Sequence, residues 1–251
     1  MHLRELTAGE LTDVARAVPF VRWGLGLGNV ARAWAAPGGP VAVERYRRAY
    51  GTSLTVVGEP DDAVRVASRL APRLDVGSVT LPRAAVVPDG VAFGPPGAGV
   101  GWEWMWTDRV PAPVPGEDRV VELDAASGEV RSELAAFLEA HSPRHSAEPD
   151  DEHARAWLGV RASDGDLLAC LALYEVVPGV DLMASVAVAT SARGQGLGLA
   201  IAAAATRRML RERPPVATVD LYSDNEAARA LYRRLGYRLD QEFTSYRVRA
   251  A

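Results

Sequence analysis

The sequence predicts an α+β fold, a mixed sheet flanked by helices, and three observations carry that expectation. Beyond residue 117, short apolar runs alternate regularly with stretches of helical period. The run from Leu182 to Ala189 is apolar almost throughout, which marks a strand buried on both faces. Asp164-Gly165 stands between two strand-like runs as a hairpin turn, so neighbouring strands run antiparallel at that point.

Taken along the chain, the signals before residue 117 are the weaker ones. Leu11 to Val18 reads as a short helix, and Leu54 to Val57 as a strand. Asp61-Asp62 then starts a helix running to Arg73. Pro88-Asp89-Gly90 is a turn signal between two short strands spanning Val86 to Phe93. Trp102, Trp104 and Trp106 recur at strand spacing on one face, as a packing surface or as a wall for a stacked substrate.

Residues 1–117 hold 15 of the 23 glycines and 12 of the 17 prolines, and Val110 to Gly116 is a stiff Pro-rich connector. A boundary is therefore placed there, giving an N-terminal accessory α/β region (1–117) and a second domain (118–251). In the second domain strands are expected at 119–123, 156–162, 167–176, 182–189, 216–222 and 243–248. Helices are expected at 129–141, 197–213 and 224–235, the last closed by Gly236.

Composition removes several function classes. All 28 basic residues are arginine. A chain without lysine has no pyridoxal Schiff base, no Walker-type nucleotide loop and no protein-kinase lysine, since each needs that amine. The formal net charge of −4 argues against a nucleic-acid partner. No apolar run reaches about 18 residues, so no membrane span is expected, and the polar start argues against a secretory signal. The single cysteine, Cys170, lies in an apolar run and reads as core, which fits a reducing, cytoplasmic location.

Two glycine-rich loops stand out. Gly24-Leu-Gly-Leu-Gly28 resembles a dinucleotide loop but lacks its third glycine, where Asn29 stands, and no strand precedes it; it reads as a connector. Arg193-Gly-Gln-Gly-Leu-Gly198 is different, because it joins the buried strand to a long helix. That arrangement points backbone N–H groups and the positive end of a helix dipole at one spot, a site for phosphate or pyrophosphate with Arg193 at its rim. Further on, Ser223-Asp-Asn-Glu226 fits a capping box, with Ser223 as cap and Glu226 reaching back, which would leave the Asn225 amide free. Tyr232, seven residues later, returns to within roughly 20° of Asn225 on the helix, and the small Ala228 lies between them. An amide and a phenol beside an anion loop suggest a ligand lying between two helices.

These residues resemble the GNAT superfamily of N-acetyltransferases. Arg193-Gly-Gln-Gly-Leu-Gly198 is similar to its Q/R-x-x-G-x-G/A signature, and Asn225 to Tyr237 to its N-x-x-A-x-x-L-Y-x-x-x-G-F/Y element. The resemblance covers roughly residues 118–248. It implies a mostly antiparallel GNAT-type sheet and acetyl-CoA as cosubstrate, with no metal. Backbone groups of Val186 and Val188 would pair with the pantetheine arm. The stretch Gly194, Gln195, Gly196, Leu197, Gly198, Leu199 would hold the pyrophosphate, Asn225 would bond the arm, and Tyr232 would protonate the departing thiolate. Thr190 departs from the pattern, standing where many members have proline.

The reaction implied is direct attack of a neutral amine, on a small molecule or a peptide, within a ternary complex. Glu175 and Asp181 are candidate proton acceptors, and Ser185 a candidate for positioning a water. His141, His145, Glu148, Asp150, Asp151 and His153 resemble metal-ligand spacing but read as acceptor-site lining or plain surface. The alternative to an enzyme is a non-catalytic acetyl-CoA sensor or interaction module. For residues 1–117 the readings are a lid or wall on the acceptor side, or a degenerate second copy of the fold. A homodimer is left open.

Overall fold

The computed structural model describes residues 2–25, 30–47, 51–93, 99–212 and 214–248. Along the chain run β1 (Arg4–Glu5), α1 (Ala8–Ala17), β2 (Val30–Ala35), β3 (Val41–Arg47), β4 (Gly51–Val57), α2 (Pro60–Leu70), β5 (Ser78–Pro82) and β6 (Val100–Thr107). They are followed by β7 (Val121–Leu123), α3 (Gly128–His141), β8 (Ala154–Arg161), β9 (Leu167–Val177), β10 (Val180–Val188), α4 (Leu197–Met209), β11 (Ala217–Tyr222), α5 (Glu226–Arg234) and β12 (Arg238–Arg247). These elements fall into two compact units. One comprises Met1–Trp104, Leu221–Asp224 and Leu239–Ala251; the other comprises Met105–Asp220 and Asn225–Arg238.

In the first unit, β1 to β4 pair antiparallel in succession, β5 pairs parallel with β4, and β12 pairs antiparallel with β5 from Phe243↔Pro82 to Arg247↔Ser78. The amphipathic α2 makes the crossover between β4 and β5. Its buried face, Ala63, Val64, Val66, Ala67 and Leu70, joins Leu54, Val56, Val79 and Leu81 in one apolar core. Trp102 and Trp104 pack with Phe20, and Phe243 touches both Phe20 and Trp102 at centroid distances of 4.8 and 4.7 Å. The tryptophans here are therefore packing residues, as edge and tilted ring contacts favour.

In the second unit, β7, β8, β9 and β10 pair antiparallel in succession and β11 runs parallel to β10. The alanine-rich α4 crosses between them. Small side chains at Ala200, Ala202, Ala203 and Ala205, all essentially inaccessible, let its backbone lie close against the sheet. The helix α3 contributes Leu134 and Leu138, both fully buried, each worth about 1.5–3 kcal/mol of burial. The connector before β7 is held on α4, because Arg207 donates to Pro111 O at 2.8 Å and to the Glu117 carboxylate at 2.8 Å.

Several expectations shift. Val86 to Phe93 carries its turn at Asp89–Gly90 but no strand; only an isolated bridge, Phe93↔Val248, remains. The helix α4 ends at Met209 rather than at Arg213, before Pro214-Pro215 can act as the stop. Strands β2, β3 and β5 form where the sequence pattern marks none. Of the dinucleotide-like loop, Gly24 closes a single π-helical turn and Leu25 is buried, while 26–28 lie outside the described residues.

Candidate active site

The strand β10 has a break in its middle. Ala184 faces Ala172 of β9 and Ala187 faces Cys170, so Ser185 and Val186 together oppose one residue and form a bulge. Ser185 adopts φ 51°, the only left-handed backbone among the described non-glycine residues. Such a conformation costs on the order of 1–3 kcal/mol and persists only when its surroundings hold it. Here the holder is visible. The buried Ser185 hydroxyl donates to Ala147 O at 3.1 Å and accepts from Ala147 N at 2.8 Å and Ser146 N at 3.2 Å. The side chain is thus committed to the 146–147 backbone.

The bulge coincides with the end of pairing to β11. The parallel ladder covers Leu182↔Thr218 and Met183↔Val219, and among the described residues it goes no further. Past that point β10 continues to Val188 with one edge unzipped, and Val186 and Val188 are half-buried where the residues before them are buried. An unzipped edge in a slot offers backbone donors and acceptors to an extended ligand, as a strand would.

The loop after β10 is shaped for an anion. Gly194 and Gly196 sit at φ 78° and 79°, and Gly196 caps α4 with no side chain closing the helix end. The first intrahelical bond, Ala200 N to Gly196 O, leaves the N–H groups of Leu197, Gly198 and Leu199 as the helix-start donors. Where a Cβ would stand on Gly194 or Gly196 there is nothing within 4 Å, so the space beside the backbone is open. Arg193 is anchored to the last turn of α3 by a 3.2 Å bond to His141 O, and the His141 ring lies 3.3 Å from the Thr190 hydroxyl. Gln195 reaches back to Ser191 O at 3.5 Å.

The α5 helix corrects one expectation. It begins at Glu226, and Asn225 itself is the cap, its Oδ1 accepting from Ala228 N at 3.0 Å. Ser223 is not the cap, because asparagine serves that position equally well and lies next to the first helical residue. The Asn225 amide is therefore half committed, its NH₂ still a donor. Tyr232 is buried, and no partner for its hydroxyl occurs among the described residues. Burial pushes its phenol well above the ordinary tyrosine range, so it stays protonated. Tyr237, 5.6 Å away ring to ring, bonds the Thr206 hydroxyl at 3.0 Å.

The acidic candidates are placed at the other end of β10. Glu175 and Asp181 face each other across the β9–β10 ladder. Glu175 Oε1 accepts from Gly179 N at 3.0 Å, which closes the hairpin. Asp181 is 2% exposed, and Arg155 contacts it at 3.1 Å without hydrogen-bond alignment while also reaching Glu212 at 3.4 Å and Glu175 at 3.6 Å. Burial raises the Asp181 carboxyl and Arg155 only partly offsets it. Asp181, a candidate proton acceptor from the sequence, is thus a buried carboxyl. His145 bonds Ser142 O at 3.0 Å and Glu148 at 3.1 Å, and no group of three metal-type side chains occurs among the described residues. Cys170 is fully buried, its thiol pushed up to about 12 chiefly by desolvation, which removes it as a nucleophile.

Residues 123–237 match the model of the Acetyltransferase (GNAT) family. A protein from Novosphingobium aromaticivorans assigned to the GNAT family is similar at 23% identity and TM-score 0.53, covering 86% of this chain and 91% of its own. A GCN5-related N-acetyltransferase from Sphaerobacter thermophilus is similar at 16% identity and TM-score 0.58, with 98% and 94% covered. A Drosophila protein is also similar at 16% identity and TM-score 0.58, with 98% of each chain covered. At these identities the likeness is one of fold. No curated protein matches the chain.

Proposed function

We propose that the protein transfers the acetyl group of acetyl-CoA directly to an amine, on a small molecule or a peptide, within a ternary complex. The observation that carries this reading is the coincidence, on one strand, of the bulge at Ser185, the end of pairing at Met183↔Val219 and the open glycine loop into α4. Backbone groups of Val186 and Val188 would hold the pantetheine arm. The N–H groups from Gly194 to Leu199 would hold the pyrophosphate, with Arg193 at the rim and the Asn225 NH₂ on the arm beside Ala228.

The neutral amine attacks the thioester carbonyl, the C–S bond breaks, and the thiolate takes the Tyr232 proton. A phenol displaced upward by burial is a weak acid, but the same burial penalises a thiolate in the same slot and raises its basicity. The amine's own proton leaves through the acidic end of β10, where Glu175 and Asp181 share Arg155. Ser185 acts here as a clamp on the 146–147 segment rather than as a holder of water.

In this account residues 1–117 are an accessory region and 118–251 carry the chemistry. The test is thiol release from acetyl-CoA across a panel of amines and peptides. Amine-dependent release supports the proposal. Tight CoA binding with no transfer to any acceptor favours the sensor or interaction-module reading.

A further inference from the structure

The two units repeat one topology. In the first, a short strand (β1) and a helix (α1) lead into the antiparallel meander β2-β3-β4; α2 then crosses over to β5, parallel to β4. In the second, β7 and α3 lead into the meander β8-β9-β10, and α4 crosses over to β11, parallel to β10. The repeat aligns the two crossover helices cap to cap. Glu59 caps α2 and Gly196 caps α4, and the first intrahelical bond runs from Ala63 N to Glu59 O in one and from Ala200 N to Gly196 O in the other. Pro60, Asp61 and Asp62 therefore correspond to Leu197, Gly198 and Leu199.

Every feature that suits an anion in the second unit is reversed in the first. The connection from β10 to α4 runs through residues 189–196, whereas Gly58 and Glu59 alone join β4 to α2. Pro60 has no N–H to donate at the first helical position. Asp61 and Asp62 place carboxylates in the first turn, where they answer the helix dipole themselves and repel a phosphate. A Cβ on Gly58 would stand 2.8 Å from Pro40, so the hairpin tip occupies the space that is open beside Gly194 and Gly196. The cleft at this end of α2 is lined by Glu59, Asp61, Asp62 and Arg65, an acidic surface.

We infer that the chain is a duplicated fold with a single coenzyme site, one acetyl-CoA per chain, held by the second copy, while the first copy has lost phosphate binding through its shortened, acidic helix start. This rests on the coenzyme reading proposed above. The substitution Gly198→Asp would give α4 the chemistry that Asp61 gives α2. A Cβ at Gly198 meets Leu231 and Val188 at an ordinary 3.5 Å, so the substitution adds a charge without a clash at its Cβ.

The deciding experiment is calorimetric titration of the full chain with CoA. The expected result is a stoichiometry of one site per chain, abolished in Gly198→Asp, with the melting temperature of the variant recorded. Two sites per chain, or binding that survives in a folded Gly198→Asp, overturns the single-site inference and leaves the coenzyme reading standing. Absence of binding to the unaltered chain overturns the coenzyme reading, and the inference with it. Should Gly198→Asp fail to fold, the stoichiometry of the unaltered chain decides alone.

Discussion

In the proposed reaction Tyr232 gives the proton and Asp181 stands at the acidic end. Tyr232 is buried with its phenol held protonated, so Tyr232→Phe removes a proton donor and little packing. Steady-state kinetics should show kcat reduced by about 10²–10⁴-fold with a small change in KM for acetyl-CoA. Asp181 tests the acidic end. Its folded-state value is raised by burial, so the folded protein holds this proton more tightly than the unfolded chain does. Between the ordinary aspartate value near ~3.9 and the raised one, stability contributed by this group falls as pH rises. Urea midpoints measured from pH 4 upward should therefore decline less steeply in Asp181→Asn than in the unaltered protein. Tyr232 and Asn225 were legible because helix period puts them on one stripe. The left-handed Ser185 was not, since serine carries no sequence signal for positive φ and its partners, Ser146 and Ala147, are distant in the chain.

At the level of elements, the account rests on a strand that stops pairing and a helix start left open. Gly196 needs its left-handed backbone even though space is available for a side chain. Gly196→Ala should cost about 1–2 kcal/mol, which for a chain of this size lowers Tm by roughly 2–4 °C per kcal/mol; a differential scanning measurement checks it. Ser185→Ala removes the clamp that holds the strained φ. Amide exchange at Ser146 and Ala147 should then accelerate, by hydrogen-exchange mass spectrometry or NMR, while α4 is unaffected. Strands β8 to β11 were readable from their apolar runs. β2 and β3 escaped because Arg32, Glu44 and Arg45 interrupt the pattern. The structure accommodates two of those charges as a cross-strand pair, Arg32 Nε to Glu44 at 2.7 Å, and turns Arg45 toward Leu25 O at 3.1 Å. The bulge on β10 has no counterpart in hydrophobic periodicity at all.

For the whole molecule, sequence boundaries and spatial ones differ in kind. A cut at the Pro-rich connector is natural in the chain, yet Leu239–Ala251 packs in the unit that contains residues 1–104, with β12 paired to β5. A fragment beginning at residue 118 would carry β12 without its partner strand, and an unpaired strand edge invites aggregation. It should be recovered insoluble or aggregated by size-exclusion chromatography, whereas co-expression with residues 1–117 should restore soluble material. The duplicated topology explains why the first half looked featureless: it keeps the fold's strands and crossover helix but none of the glycine and arginine chemistry that made the second half recognisable. The proposed chemistry is acetyl transfer at the slot beside Ser185 and the loop into α4. Its most direct measurement is the rate of free-thiol release from acetyl-CoA with and without amine acceptors, for the unaltered chain and for Gly198→Asp. The account predicts release that depends on the amine and vanishes in the variant. Release that persists in a folded Gly198→Asp, or none with any amine despite bound coenzyme, would contradict it.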